Sequence, residues 1–120
     1  MQVKNILNEL AKVPEGEFLD LLEFNGHQLG ASDITGISPY WEMHPDTDEL
    51  FYVLEGQFEI TLLTADGGSE RHVAKAGDTM VVPMGLWHKP AAPNGAKFIY
   101  LTPGQSLHSD ADDPRQQGTA

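Results

Sequence analysis

The sequence predicts an all-β protein, a sandwich or small barrel of many short strands with one short helix in front. Three observations carry this. Apolar residues follow a helical period only at the start of the chain. After Pro14 the apolar runs become short and are separated by Gly-, Pro-, Asn- and Asp-containing turns. No second helical pattern is long enough for a strand–helix–strand unit.

Val3, Ile6, Leu7 and Leu10 lie at i, i+3, i+4 and i+7, the apolar stripe of a short amphipathic helix. Pro14 and Gly16 mark its end. The strand candidates are 18–24, 50–54, 58–63, 79–83 and 97–101. Between them stand Glu55-Gly56, Asp66-Gly67-Gly68, Ala76-Gly77-Asp78, Met84-Gly85 and Pro93-Asn94-Gly95. The runs at 50–54 and 79–83 are apolar without alternation, which predicts cover on both faces and a homodimer. Residues 1–105 read as one domain with the barrel at about 30–102, and 106–120 as a loose polar tail. His108 falls in that tail, His27 in a loop, and His72 on an exposed strand or loop.

Composition narrows the chemistry. The 120 residues contain no cysteine, so disulfides, thiolate metal sites and cysteine nucleophiles are excluded. Any metal must be held by imidazole, carboxylate, carbonyl or water. Eighteen acidic against seven basic residues give a formal charge of −11, which argues against nucleic acid and anionic membranes as partners. The N-terminus has no secretory pattern and no run reaches membrane-spanning length, so a cytoplasmic protein is expected.

The chemistry concentrates in Tyr40–Gly56. Tyr40, Glu42 and His44 are at i, i+2 and i+4 and share one face of a strand. Pro45-Asp46 then turns the chain, and Glu49 opens the next strand close to His44. If the strand ending near His88 lies beside this hairpin, two imidazoles and two carboxylates converge as a divalent-metal site. Trp41, Met43 and Trp87 fall on the opposite face, as packing residues.

These segments resemble the paired motifs of the cupin superfamily. His44, Glu49 and Gly56 stand at the spacings of the first motif, and Gly77, Pro83, Gly85 and His88 at those of the second. The closest likeness is to small single-domain cupins of the kind labelled mannose-6-phosphate isomerase-like, a label that speaks to fold and not to substrate. Two positions depart: Glu42 replaces the first motif's leading histidine, and Ala92 replaces an asparagine common after the second motif.

The resemblance implies a double-stranded β-helix, a jelly-roll barrel, around one divalent transition metal (Mn, Fe, Ni, Co or Zn). Its ligands would be Glu42, His44, Glu49 and His88, with Tyr40 or Glu49 moving a proton. It implies either a metal-dependent enzyme, of isomerase or dioxygenase type, on a sugar, sugar phosphate or organic acid, or a non-catalytic module that binds or senses a small molecule.

Overall fold

The computed structural model describes residues 1–103 and 105–119, the side chains of 117–119 excepted. A helical turn, α1 (Ile6–Leu10), is followed by β1 (Leu19–Phe24), β2 (His27–Ile37), β3 (Trp41–Met43), β4 (Glu49–Leu63), β5 (Ser69–Lys75), β6 (Thr79–Val82), β7 (His88–Thr102) and β8 (Leu107–Ser109), then a 3-10 turn (Pro114–Thr119). The all-β jelly-roll class and the short N-terminal helix are as expected.

Asn5 caps α1 by accepting a hydrogen bond from the Asn8 amide. Ile6 and Leu10 pack on Leu21 and Ala31, a small cluster on the outer face of β1 and β2. Val3 lies before the helix and is exposed, so the stripe is shorter than its spacing suggested.

The sheet is organised by β7. It pairs antiparallel with β2 on one side and with β4 on the other, and its first residue also meets β3. β5 and β6 both pair with β4, at its C-terminal and N-terminal halves. The runs 50–54 and 58–63, expected as separate strands, are one 15-residue strand. Glu55-Gly56 is a bulge and not a turn, because the register with β7 shifts there while pairing continues. Gly56 has φ 80°, and a Cβ there would drive into the Gly95 carbonyl oxygen. The bulge lets one strand bend around the core and serve both β5 and β6.

The core lies inside this bend. Phe58 stacks on Phe98 at 4.3 Å between ring centroids, and Phe51 stands at 5.2 and 5.6 Å from them. Val53, Ile60, Leu62, Val82 and Ala92 close around these rings. Ala92 is fully buried, where an asparagine would need polar partners.

Three expectations are corrected. His27 is not in a loop: it opens β2 opposite Phe24. The runs 50–54 and 79–83 do alternate in burial, with Phe51, Val53 and Val82 inward and Tyr52 and Val81 exposed. The segment 106–119 is not a loose tail. Leu107–Ser109 pairs with Trp41–Met43, and the Arg115 guanidinium donates to the Thr64 and Gly68 carbonyls at 2.8 Å. Ala120, the end of the expected tail, lies outside the described residues.

Candidate metal centre

Three neighbouring strands build the centre. On β3, Glu42 is the cross-strand partner of His88 on β7 and of His108 on β8. His44 follows β3 directly, and its carbonyl accepts the Gly85 amide at 2.8 Å, which ties the two motif loops together. Glu49 opens β4 opposite Val82. The expected convergence of strand, turn and strand with the strand from His88 is therefore the observed arrangement.

Glu42, His44, Glu49 and His88 each offer one ligand atom, all within 4.8 Å of one another. His44 Nε2 lies 3.3 Å from Glu42 Oε1 and 3.1 Å from Glu49 Oε1. His88 Nε2 lies 3.4 and 3.2 Å from the same two oxygens. Ligands at about 2.0–2.2 Å from one ion are separated by roughly 3.0–3.5 Å for angles between square and tetrahedral. All four measured edges fall in that range, so the cage fits a metal ion without rearrangement. The set is buried where it matters: His44 and Glu49 are 4 % exposed and His88 1 %.

A second observation supports the fit. Both ring nitrogens of His88 are buried without a well-formed hydrogen bond among the described residues, so Nε2 is left to a metal once its proton is displaced. The His44 tautomer is set from behind. Its Nδ1 lies 3.2 Å from the Gln105 carbonyl, which can only accept, so Nδ1 carries the proton and Nε2 faces the cage. The Ser106 hydroxyl stands 3.1 Å from the same nitrogen.

The charges hold one another. Burial by itself pushes His44 down, but its hydrogen bonds with Glu42 and Glu49, and their charges, raise it to about 10. His88 is raised to about 9 by the same carboxylates, again against burial. Burial would lift the Glu42 carboxyl, yet the two histidines hold it well below the usual carboxylate range. Without metal the cage thus carries two imidazolium protons at neutral pH, which a metal must displace.

Tyr40 is not in the cage. It precedes β3, is 52 % exposed, and lines a chamber that opens on Glu42, Glu49 and His88. Trp41 is buried on the other side with Lys89 Nζ 4.7 Å over its ring, as a packing residue.

His108, expected in a polar tail, has its Nε2 3.0 Å from Glu42 Oε2. One carboxylate oxygen thus faces the cage while the other is held by His108. No motif spacing reveals this, because the contact spans 66 residues and depends on β8 pairing with β3. Tyr100 was also missed; its hydroxyl donates to Asp20 at 3.1 Å in a second, larger chamber on the same centre. Burial and the adjacent Asp20 charge push this phenol up.

Outer partners of metal ligands are commonly worth 10–100-fold in affinity. His108→Ala is therefore expected to weaken metal binding by about tenfold with little loss of fold, as read by competition with a chelator. Truncation after residue 109 should cost less, since Gln105, Ser106 and His108 remain. An unchanged affinity in His108→Ala would remove its positioning role.

The profile of the cupin domain family matches residues 34–102. The uncharacterized protein YdbB of Bacillus subtilis (strain 168) is 40% identical over 67 residues, 56% of this chain and 55% of that protein, so the match spans about half the relative's length. The crystal structure of a cupin-2 domain containing protein from Shewanella frigidimarina superposes with a TM-score of 0.71 at 27% identity, covering 85% of this chain and 95% of that one. Hydroquinone 1,2-dioxygenase from Sphingomonas sp. TTNP3, solved with 4-hydroxybenzoate bound, superposes with a TM-score of 0.69 at 17% identity, covering 82% and 71%, a likeness of fold alone. With the family profile spanning more than half of the chain and the motif residues gathered at one centre, this protein belongs to the cupin family.

Proposed function

We propose that this cupin is a metal-dependent enzyme acting on a small oxygen-bearing molecule, with isomerase- or dioxygenase-type chemistry. The observation that carries the reading is the cage itself: four ligand atoms edge to edge at 3.1–3.4 Å, with two chambers opening on them. A divalent Mn, Fe, Ni, Co or Zn ion bound there supplies Lewis acidity to an oxygen ligand. The chain's own residues do the rest. Glu42 and Glu49 balance the ion's charge, which tempers its acidity and suits oxygen-preferring ions such as Mn²⁺ or Fe²⁺. Glu49 faces both imidazoles at 3.1 and 3.2 Å, so it serves as a ligand before it serves as a base. The exposed Tyr40 hydroxyl, at the wall of the smaller chamber, is then the group free to exchange a proton with a bound molecule.

The test is elemental analysis of protein purified without added metal, followed by a turnover screen of sugars, sugar phosphates, organic acids and dioxygenase substrates. One divalent ion per chain and turnover lost in His88→Ala are expected. Metal content equal in wild type and His88→Ala would overturn the metal centre. Saturable binding without turnover would replace the enzyme by a sensing or binding module.

A homodimer belongs to the same reading. Among the described residues, β5 and β6 pair only with β4 and leave their outer edges free. Between them lies a cleft of about 430 Å³ of mixed character, with Ile60, Leu62, Met80 and Val82 beside Glu70, His72 and Asp78. A second copy would cover both the edges and the cleft. Light scattering at micromolar concentration should give twice the chain mass, and a monomer mass would contradict the dimer. No helix among the described residues is long and apolar enough to cross a membrane, and a cytoplasmic location is part of this proposal.

A further inference from the structure

The segment that follows β7 lies across the metal centre and is held there by polar contacts. Over 105–113 only Leu107 and Ala111 are apolar, and Leu107 is exposed. Packing therefore contributes little to its docking, the mark of a segment that opens locally. Among the described residues β8 pairs with β3 alone, by three residues. β3 in turn meets β7 only where Glu42 faces His88.

The inner side of this segment covers the ligands. The Gln105 carbonyl and the Ser106 hydroxyl stand 3.2 and 3.1 Å from His44 Nδ1, and His108 Nε2 stands 3.0 Å from Glu42 Oε2. Ser106 and His108 also wall the larger chamber, of about 410 Å³, and His108 borders the smaller one. With β8 lifted, β3 becomes a sheet edge, and Glu42 and His44 lose the groups that stand between them and solvent.

The far end is closed by one side chain. Asp113 holds Arg115 in a fork, accepting from Nε at 3.0 Å and from Nη2 at 2.9 Å. The guanidinium so oriented donates from Nη1 to the Thr64 and Gly68 carbonyls at 2.8 Å and from Nη2 to the Gly67 carbonyl at 3.4 Å. These carbonyls belong to the turn between β4 and β5, 47 to 51 residues earlier in the chain. Pro114, beside the guanidinium, is buried. None of these bonds reaches Glu42, His44, Glu49 or His88.

We infer that residues 105–113 form a strap that gates the metal centre, and that Arg115 is its latch. The inference rests on the metal-centre reading for what passes the gate, while the latch stands on its own hydrogen bonds. Opening is the release of β8 from β3, a local motion of the kind that lids use. Because the latch touches no ligand residue, weakening it raises the open population of the empty and the filled centre by the same factor. Entry and exit then quicken together and affinity is unchanged. His108, which touches Glu42, differs: its loss changes affinity.

The experiment measures uptake of Mn²⁺ and its release into excess chelator in the full chain, in Arg115→Ala and in Met43→Cys/Leu107→Cys. Met43 and Leu107 are cross-strand partners. Such partners lie about 4.5–5.5 Å apart at Cα, within the span of a disulfide, and the chain has no other cysteine. Arg115→Ala should quicken uptake and release alike, by about tenfold for the loss of charge-assisted hydrogen bonds, with Kd unchanged. The disulfide should slow both by at least about tenfold, and reduction should restore them. Unchanged rates in both variants would overturn the gate. So would a raised Kd with unchanged uptake in Arg115→Ala, which would make the strap a positioning element only. Amide hydrogen exchange of Leu107–Ser109 in the metal-free protein reads the latch separately, and Arg115→Ala should quicken it about tenfold. Unchanged exchange would overturn the latch. A wild-type chain that takes up no Mn²⁺ or Zn²⁺, while β8 exchange responds to Arg115→Ala, supports the latch and overturns the metal reading instead.

Discussion

His44→Ala and His88→Ala should each lower metal affinity by at least about a hundredfold, more than the loss of an outer partner, while the barrel stays folded. Each imidazole contributes two of the four edges of the cage, so its removal leaves two carboxylates and one nitrogen. The fold survives because the rings that hold the sheets together, Phe51, Phe58 and Phe98, form a cluster of their own. His88→Ala has the larger structural cost, since its ring is fully buried against Phe51 at 6.4 Å. The check is metal content after dialysis, with circular dichroism for the fold. Wild-type metal content in both variants would remove the site.

The second large effect is on pH. A metal binds the deprotonated imidazoles, and His44 and His88 hold their protons to about 10 and 9 in the metal-free cage. Below pH 9 each ion must displace two protons, so apparent affinity should climb by up to about a hundredfold per pH unit. Stability without metal runs the other way. The histidine pKa values are raised above their unfolded value of about 6.5, so their contribution is fully present below that pH. It is lost as pH rises through 9 and 10. Glu42 is shifted down, so its contribution is present above its unfolded value and lost as pH falls through the lowered one. Metal-free protein should therefore lose thermal stability from about pH 6.5 to 10, while metal-loaded protein gains it over the lower part of that range. Parallel melting curves with chelator and with metal test this. Equal slopes in both would contradict the coupling of the carboxylates and imidazoles.

The centre was more legible in the sequence than the fold around it. Glu42, His44, Glu49 and His88 stand at spacings that a strand and a turn convert directly into proximity. The continuity of β4 was hidden because Gly56 looks like a turn when it is a bulge, and both use a glycine at positive φ. β2 was missed beyond residue 27 because its Gly, Ser, Asp and Thr residues weaken any apolar alternation; its place comes from pairing with β7. β8 was missed for the same reason. Three residues of a polar segment become a strand only because β3 offers them an edge. His108 and Gln105 followed β8 into the site, where they orient Glu42 and His44. Tertiary pairing, absent from local pattern, supplied what lies behind the ligands.

In the proposed metal centre, Glu42 stands in for an imidazole as a ligand in a four-residue cage. Anomalous diffraction at the metal edge, on crystals of the full chain grown with Mn²⁺, tests it most directly. One peak is expected, enclosed by Glu42 Oε1, His44 Nε2, Glu49 Oε1 and His88 Nε2, with Glu42 Oε2 still on His108. A peak bound by His44, Glu49 and His88 with the Glu42 carboxylate turned to solvent, or no peak at this centre, would contradict it.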